Sequence, residues 1–299
     1  MRQLLMILIL LCSSSAYGQI KTRHVTSHVE IPTPTGYRGN PSPELKNVGW
    51  DIFETKNFYI ISADYGQGAY LASNIEAMKT WIFNRWGIPD IDFKIPCKIS
   101  CVPTQDLMEK ICGLKGSFGE VRKDDSGKIT ESLLWVVLDV KPAESIPPAL
   151  TLICLKEFEQ QANVKFGFWA HRGMAQMNAT GPQIRERLAS LNPYLSKDQK
   201  IYFSNYLLTI TEKEWATQSD EHRHLFDAEA LALCLLLRKE YGQKNFVEFL
   251  KSDERESDVQ SIFGYQNFNE FDATFKRYMF DLSKDVIDHR TPNSYLQIP

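Results

Sequence analysis

The pattern of hydrophobic and polar positions changes character near residue 145. From Val48 to that point short alternating runs mix with helical ones. Trp50 to Ser62 (WDIFETKNFYIIS) reads as two short strands or a hairpin, with Phe58, Ile60 and Ser62 on one face. Residues 66–86 carry Tyr70, Ile75, Met78, Trp81 and Ile82 near a 3.6-residue spacing, which predicts an amphipathic helix. Lys94 to Val102 alternates like a strand, and Thr104 can cap a helix over TQDLMEKIC. Gly113 to Asp139 reads as a meander, with turns at Gly116–Gly119 and Asp124–Gly127 and a buried strand over Leu133 to Val140.

Beyond residue 145 the apolar spacing is almost entirely helical. Pro147 and Pro148 suit a helix start, and Leu152, Leu155, Phe158 and Ala162 form its apolar stripe. Gly167 breaks that pattern, and a second helix follows from about Trp169. Ile184–Leu191 and Lys200–Leu208 are further helices separated by Asn192-Pro193. Glu212 to Glu221 is polar. Phe226 to Tyr241 is the most apolar helix of the mature chain, closed by Gly242 in the left-handed position. Phe246–Leu250, Val259–Phe263 and Phe268–Phe280 complete a small bundle. The predicted class is α+β: an α/β part with a small mixed sheet over residues 47–145, then a helical part over 146–285 and a polar tail over 286–299.

The N-terminus changes the picture. Met1-Arg2, the apolar run Leu4–Leu11, and Ala16 and Gly18 at the −3 and −1 positions predict a signal peptide over 1–18. The run is short for a membrane anchor, and no later segment is apolar and long enough to span a bilayer. An exported protein in the periplasm, envelope or medium is expected. Residues 19–46, rich in Pro, Thr, Ser and Gly, read as an extended linker or arm. Within it His24 and His28 have i,i+4 spacing but no helical context. Export permits disulfides. Cys97 and Cys101 are too far apart along a strand to pair, and either can reach Cys112, whereas Cys154 and Cys234 sit in apolar helical runs as buried thiols.

Composition adds exclusions. A formal net charge of −3 gives no basic footprint for nucleic acid. No Gly-x-Ser-x-Gly elbow and no phosphate loop is present. His222 and His224 lie in an acidic DEHRH run and read as a solvated polar loop, with a surface metal site as the alternative.

Four stretches carry a resemblance. NFYIIS precedes a helix bearing Glu76, IPCKISCVPTQDLMEKI follows, WAHRGMA forms the later short helix, and AEALALCLLLRKEYGQKNFVEFLKS with IFGYQNFNEFDATFKRYM forms the C-terminal bundle. From about Phe53 to Leu282 the chain resembles gluzincin-like, "peptidase MA-like" domains of exported bacterial proteins, which implies a zincin-like fold and zinc-dependent peptide hydrolysis. In that family one helix carries His-Glu-x-x-His and the next a Glu in a W-x-x-E-G-x-A-like pattern. Here Leu155, Lys156 and Glu159 occupy the first set, and Arg172 takes the place of the third ligand, beside His171.

No His lies between His28 and His171, so no register of the first helix can supply a His pair. Catalytic zinc takes about three protein ligands and an open position. Glu157 and Glu159 point about 200° apart around a helix and cannot easily share a metal. An Arg172–Glu159 salt bridge is the expected structural replacement. His171 is expected to be packed or hydrogen-bonded beside Trp169. The leading expectation is therefore a catalytically inactive protein with no cofactor, binding an unidentified protein or peptide through the former substrate cleft beside Leu155–Glu159 and His171–Arg172. The alternatives are an active hydrolase built from His171, Glu157 or Glu159 and His222/His224, and a structural envelope protein.

Overall fold

The structure, a computed structural model, describes residues 20–25, 49–112, 116–139, 142–196 and 204–287. The expected signal peptide, most of the arm with His28, and the tail from residue 288 lie outside the described residues.

A six-stranded mixed sheet opens the fold, in the order β1-β2-β3-β4-β6-β5. Its strands are β1 (Lys21–Val25), β2 (Trp50–Glu54), β3 (Phe58–Ser62), β4 (Cys97–Val102), β5 (Phe118–Lys123) and β6 (Ile129–Val137). The β2–β3 pair is the expected antiparallel hairpin, while β3, β4 and β6 run parallel and β5 pairs antiparallel with β6. Two expectations are corrected here. Residues 21–25 are not linker but an edge strand along β2, because KTRHV precedes the proline-rich stretch and every residue can enter a ladder. Phe118 and Gly119, expected in a turn, begin β5. Gly119 is needed there, since a Cβ would stand 2.6 Å from the Ala149 carbonyl oxygen.

Alternation along the strands splits the apolar side chains between two faces. Phe58, Ile60, Ile99, Leu134 and Val136 join the main core, and Trp50, Ile61, Leu133, Trp135 and Val137 form a smaller cluster on the other face with Met108. Helix α1 (Tyr65–Trp86) packs Leu71, Ile75 and Ile82 into the main core. Tyr70 and Trp81, expected in its apolar stripe, are exposed instead, because the buried stripe runs through Leu71, Ile75, Lys79 and Ile82. Lys79 is tolerated there because its ammonium bonds Asp90 and the Ile91 carbonyl. Helix α2 (Gln105–Cys112) follows, with Thr104 Oγ1 accepting from the Leu107 amide.

The remaining helices are α3 (Pro142–Ala162), α4 (Phe168–Met177), α5 (Gly181–Ala189), α6 (Asn192–Ser196), α7 (Ser204–Thr209), α8 (Glu212–Ala216), α9 (Asp220–Leu250), α10 (Glu256–Phe263) and α11 (Phe268–Ile287). Pro147 and Pro148 lie inside α3 rather than at its start. Their missing amides would bond only to the helix's first turn, so the loss stays at its end. Asn192-Pro193, expected as a separator, opens α6, with Pro193 in the first turn, where its missing amide forfeits no intrahelical bond. The apolar helix α9 is buried on all sides from Leu225 to Arg238, which suits its all-round hydrophobicity. Gly242 breaks it at φ 78°, as the sequence led us to expect. Among the described residues no helix is long and apolar enough to cross a membrane.

Candidate functional site

Helices α3 and α4 are brought side by side by a tight connection. Asn163 ends α3 in the left-handed region at φ 52°, and the Val164 amide returns to the Glu159 carbonyl. The second helix is held close to α9 at Gly173, where a Cβ would lie 2.4 Å from the Ala230 carbonyl oxygen and 2.5 Å from Cys234 Sγ. The glycine of WAHRGMA is thus a helix-crossing point.

Glu159 is the hub of the pair. Its Oε1 accepts the Phe166 amide at 2.6 Å, and its Oε2 lies 3.1 Å from His171 Nε2 and 3.7 Å from Lys156 Nζ. The imidazole N–H does not align with Oε2, so the 3.1 Å contact is an electrostatic neighbour rather than a well-formed hydrogen bond. Burial lowers the His171 pKa, against the opposing effect of Glu159. Burial pushes the Glu159 carboxyl up, but His171, Lys156 and the Phe166 amide outweigh it and hold it below its ordinary value. His171 is packed as expected, but its aromatic neighbour is Phe166, at 6.3 Å between ring centres.

The expected Arg172–Glu159 bridge is not formed. Arg172 turns to α9, where Nε and Nη2 donate to Asp227 Oδ1 and Oδ2 at 2.8 and 2.5 Å. A bidentate fork onto a buried carboxylate outcompetes a Glu already held by three partners. The Arg172 guanidinium also lies 4.5 Å from the Trp215 ring centre, with Arg223 at 5.4 Å. Leu155 is buried in the main core. Glu157 points to the sheet, where Ser132 Oγ donates to it at 2.7 Å, and burial raises its pKa. The two glutamates thus diverge as their spacing requires.

Asp227, Trp215 and Glu254 are participants the sequence reading missed. Asp227 had a legible signal: an acid inside the most apolar helix must find a cation or a donor. Glu254 had none. It sits at φ 56° before α10, where its carboxylate accepts the Trp169 indole N–H at 2.7 Å and the Gly167 amide at 3.3 Å. That contact clamps the start of α4 from a residue 85 positions away. Burial raises the Glu254 pKa to about 7, against those two donors.

The other candidates do not join this group. His222 and His224 are exposed near the start of α9, a helix rather than the expected loop, because Ser219 caps it and accepts from the His222 amide. His24 bonds Asp51 at the far edge of the sheet. Glu76 fastens the β2–β3 turn by accepting from Thr55 Oγ1, the Asn57 amide and Asn57 Nδ2. Cys97, Cys101, Cys154 and Cys234 are buried free thiols; the Cys112 side chain, the expected partner of Cys97 or Cys101, lies outside those described. Among the described residues no three His, Cys, Asp or Glu side chains are arranged to hold a metal ion. Compared with known proteins, the chain matches no family model and none of the curated proteins.

Proposed function

We propose that the protein is an exported, catalytically inactive, metallopeptidase-like protein that binds a protein or peptide through the surface beside α3 and α4. The observation that carries this reading is the commitment of the ligand positions to internal partners. Leu155 is core, Lys156 and His171 surround Glu159, and Arg172 is forked onto Asp227. His171 with a single carboxylate neighbour supplies one nitrogen donor, against the three ligands that catalytic zinc takes.

A binding role is supported by the sheet edge beside this pair. The β5 strand pairs only with β6 among the described residues, which leaves its other edge for a backbone partner. It runs alongside α3, from Gly119 at Ala149 to the β5–β6 turn, where Gln160 Oε1 accepts the Ile129 amide at 2.6 Å. An extended peptide added to β5 would pass Lys156, the one partly exposed member of the Glu159 group.

The test is a peptide-array screen with the mature protein, paired with a hydrolysis assay on every peptide that binds. We expect binding without cleavage, weakened about tenfold by Lys156→Glu, which reverses the charge at the lip. Turnover of bound peptides, or binding indifferent to Lys156→Glu, would contradict the reading.

A further inference from the structure

Arg85, in the last turn of α1, and Arg238, on α9, meet where the C-terminal ends of α1 and α4 converge. Arg85 Nη2 donates to the Met177 carbonyl at 3.0 Å, and Arg238 Nη2 donates to the Arg85 carbonyl at 2.9 Å. Each guanidinium therefore serves one helix C-terminus, where the dipole is negative. That accounts for one nitrogen of each. Neither arginine has a carboxylate partner among the described residues. Both Nε atoms are buried with no acceptor, and Arg238 as a residue is only 8% exposed. The indole N–H of Trp86, the residue after Arg85, is likewise buried without an acceptor.

Two cations sharing a half-buried site with no acid is an unfavourable arrangement in isolation. Burial, and then the charge of Arg238, bring the Arg85 guanidinium down to about 10. Two other buried cations are matched: Lys79 by Asp90, Arg172 by Asp227. An exposed aromatic ring lies beside Arg85. Trp81 is 42% exposed, with the Arg85 guanidinium 5.0 Å from its ring centre.

We propose that Arg85 and Arg238 form a binding site for a phosphate-type dianion at the junction of α1, α4 and α9. Two guanidiniums balance a dianion, whereas a single carboxylate would leave one charge unmatched, and the planar N–H fork of arginine suits a tetrahedral oxyanion. The ligand is either the free inorganic ion or a phosphomonoester whose organic part rests on Trp81. The site is separate from the Glu159 group: Met177 lies six residues beyond His171 on α4, roughly 9 Å along the helix axis.

The test uses the mature chain at constant pH and ionic strength, exchanging chloride for inorganic phosphate. Phosphate should raise the thermal midpoint saturably, and calorimetry should give one site per chain. Arg85→Gln, at a half-buried position, should weaken phosphate binding at least tenfold while keeping the circular dichroism spectrum. Arg238→Gln should do the same; if it does not fold, Arg85→Gln decides alone. Phenyl phosphate separates the two sources. Tighter binding than inorganic phosphate, lost in Trp81→Ala, identifies an ester; equal affinity in both proteins identifies the free ion. A midpoint identical in phosphate and chloride, or an undiminished phosphate effect in Arg85→Gln, would overturn the proposal.

Discussion

Removing the Asp227 carboxylate tests whether the site is held together by internal pairing. In Asp227→Ala, Arg172 loses both fork contacts, at 2.8 and 2.5 Å, in a place where its side chain retains only 23% exposure. Breaking one partner of a buried pair costs about 3–5 kcal/mol. The remaining exposure lets the guanidinium reach water, which places the expected loss near the lower end, about 3 kcal/mol. At roughly 2 °C per kcal/mol for a chain of this size, the melting midpoint should fall by about 6 °C. Arg172→Met should cost at least as much, because the stranded Asp227 side chain is only 4% exposed. The double variant Arg172→Met/Asp227→Leu removes both charges and should recover most of the loss. Urea unfolding of the four proteins gives the coupling energy, expected at about 1.5 kcal/mol or more. Asp227→Ala within about 0.5 kcal/mol of wild type, or strict additivity in the cycle, would refute the reasoning.

Gly173→Ala should destabilise by about 2 kcal/mol in denaturant titration, since the clash with the Ala230 backbone exceeds the roughly 1 kcal/mol that alanine gains in a helix. Glu254 has a folded-state pKa of about 7 against 4.5 ordinarily, so the folded state holds its proton more tightly. Its contribution is complete below the unfolded value and is lost as pH rises towards 7. Wild-type stability relative to Glu254→Gln should therefore fall across that window in unfolding experiments at several pH values; a flat difference contradicts this. The thiols of Cys97, Cys101, Cys154 and Cys234 are buried, and burial raises the pKa of each, so they should resist a thiol reagent until the protein unfolds.

Periodicity made much of this fold legible. The β2–β3 hairpin, α1, β4, β6, the α3–α4 pair and the break at Gly242 follow from local spacing and from glycine's access to positive φ. Edges were harder. The strand Lys21–Val25 carries no apolar alternation, because an exposed edge demands only backbone pairing. Tyr70 and Trp81 entered the expected stripe because their hydrophobicity does not reveal which side of α1 meets the core. Within the site, counting residue types showed that α3 has no His, and spacing gave the divergence of Glu157 from Glu159. The choice of Asp227 over Glu159 by Arg172 depends on how α9 crosses α4 at Gly173, a contact between residues 55 positions apart. Spacing within one helix carries no trace of it.

The most direct test of the central claim is the zinc content of purified protein spanning residues 19–299, by elemental analysis after dialysis with and without added Zn²⁺. The account predicts no stoichiometric zinc under either condition, because Glu159 is held by the Phe166 amide, Arg172 is forked onto Asp227, and His171 is left as a lone nitrogen donor. One tightly held zinc per chain, lost in His171→Ala, would contradict it and place a metal site at the α3–α4 pair.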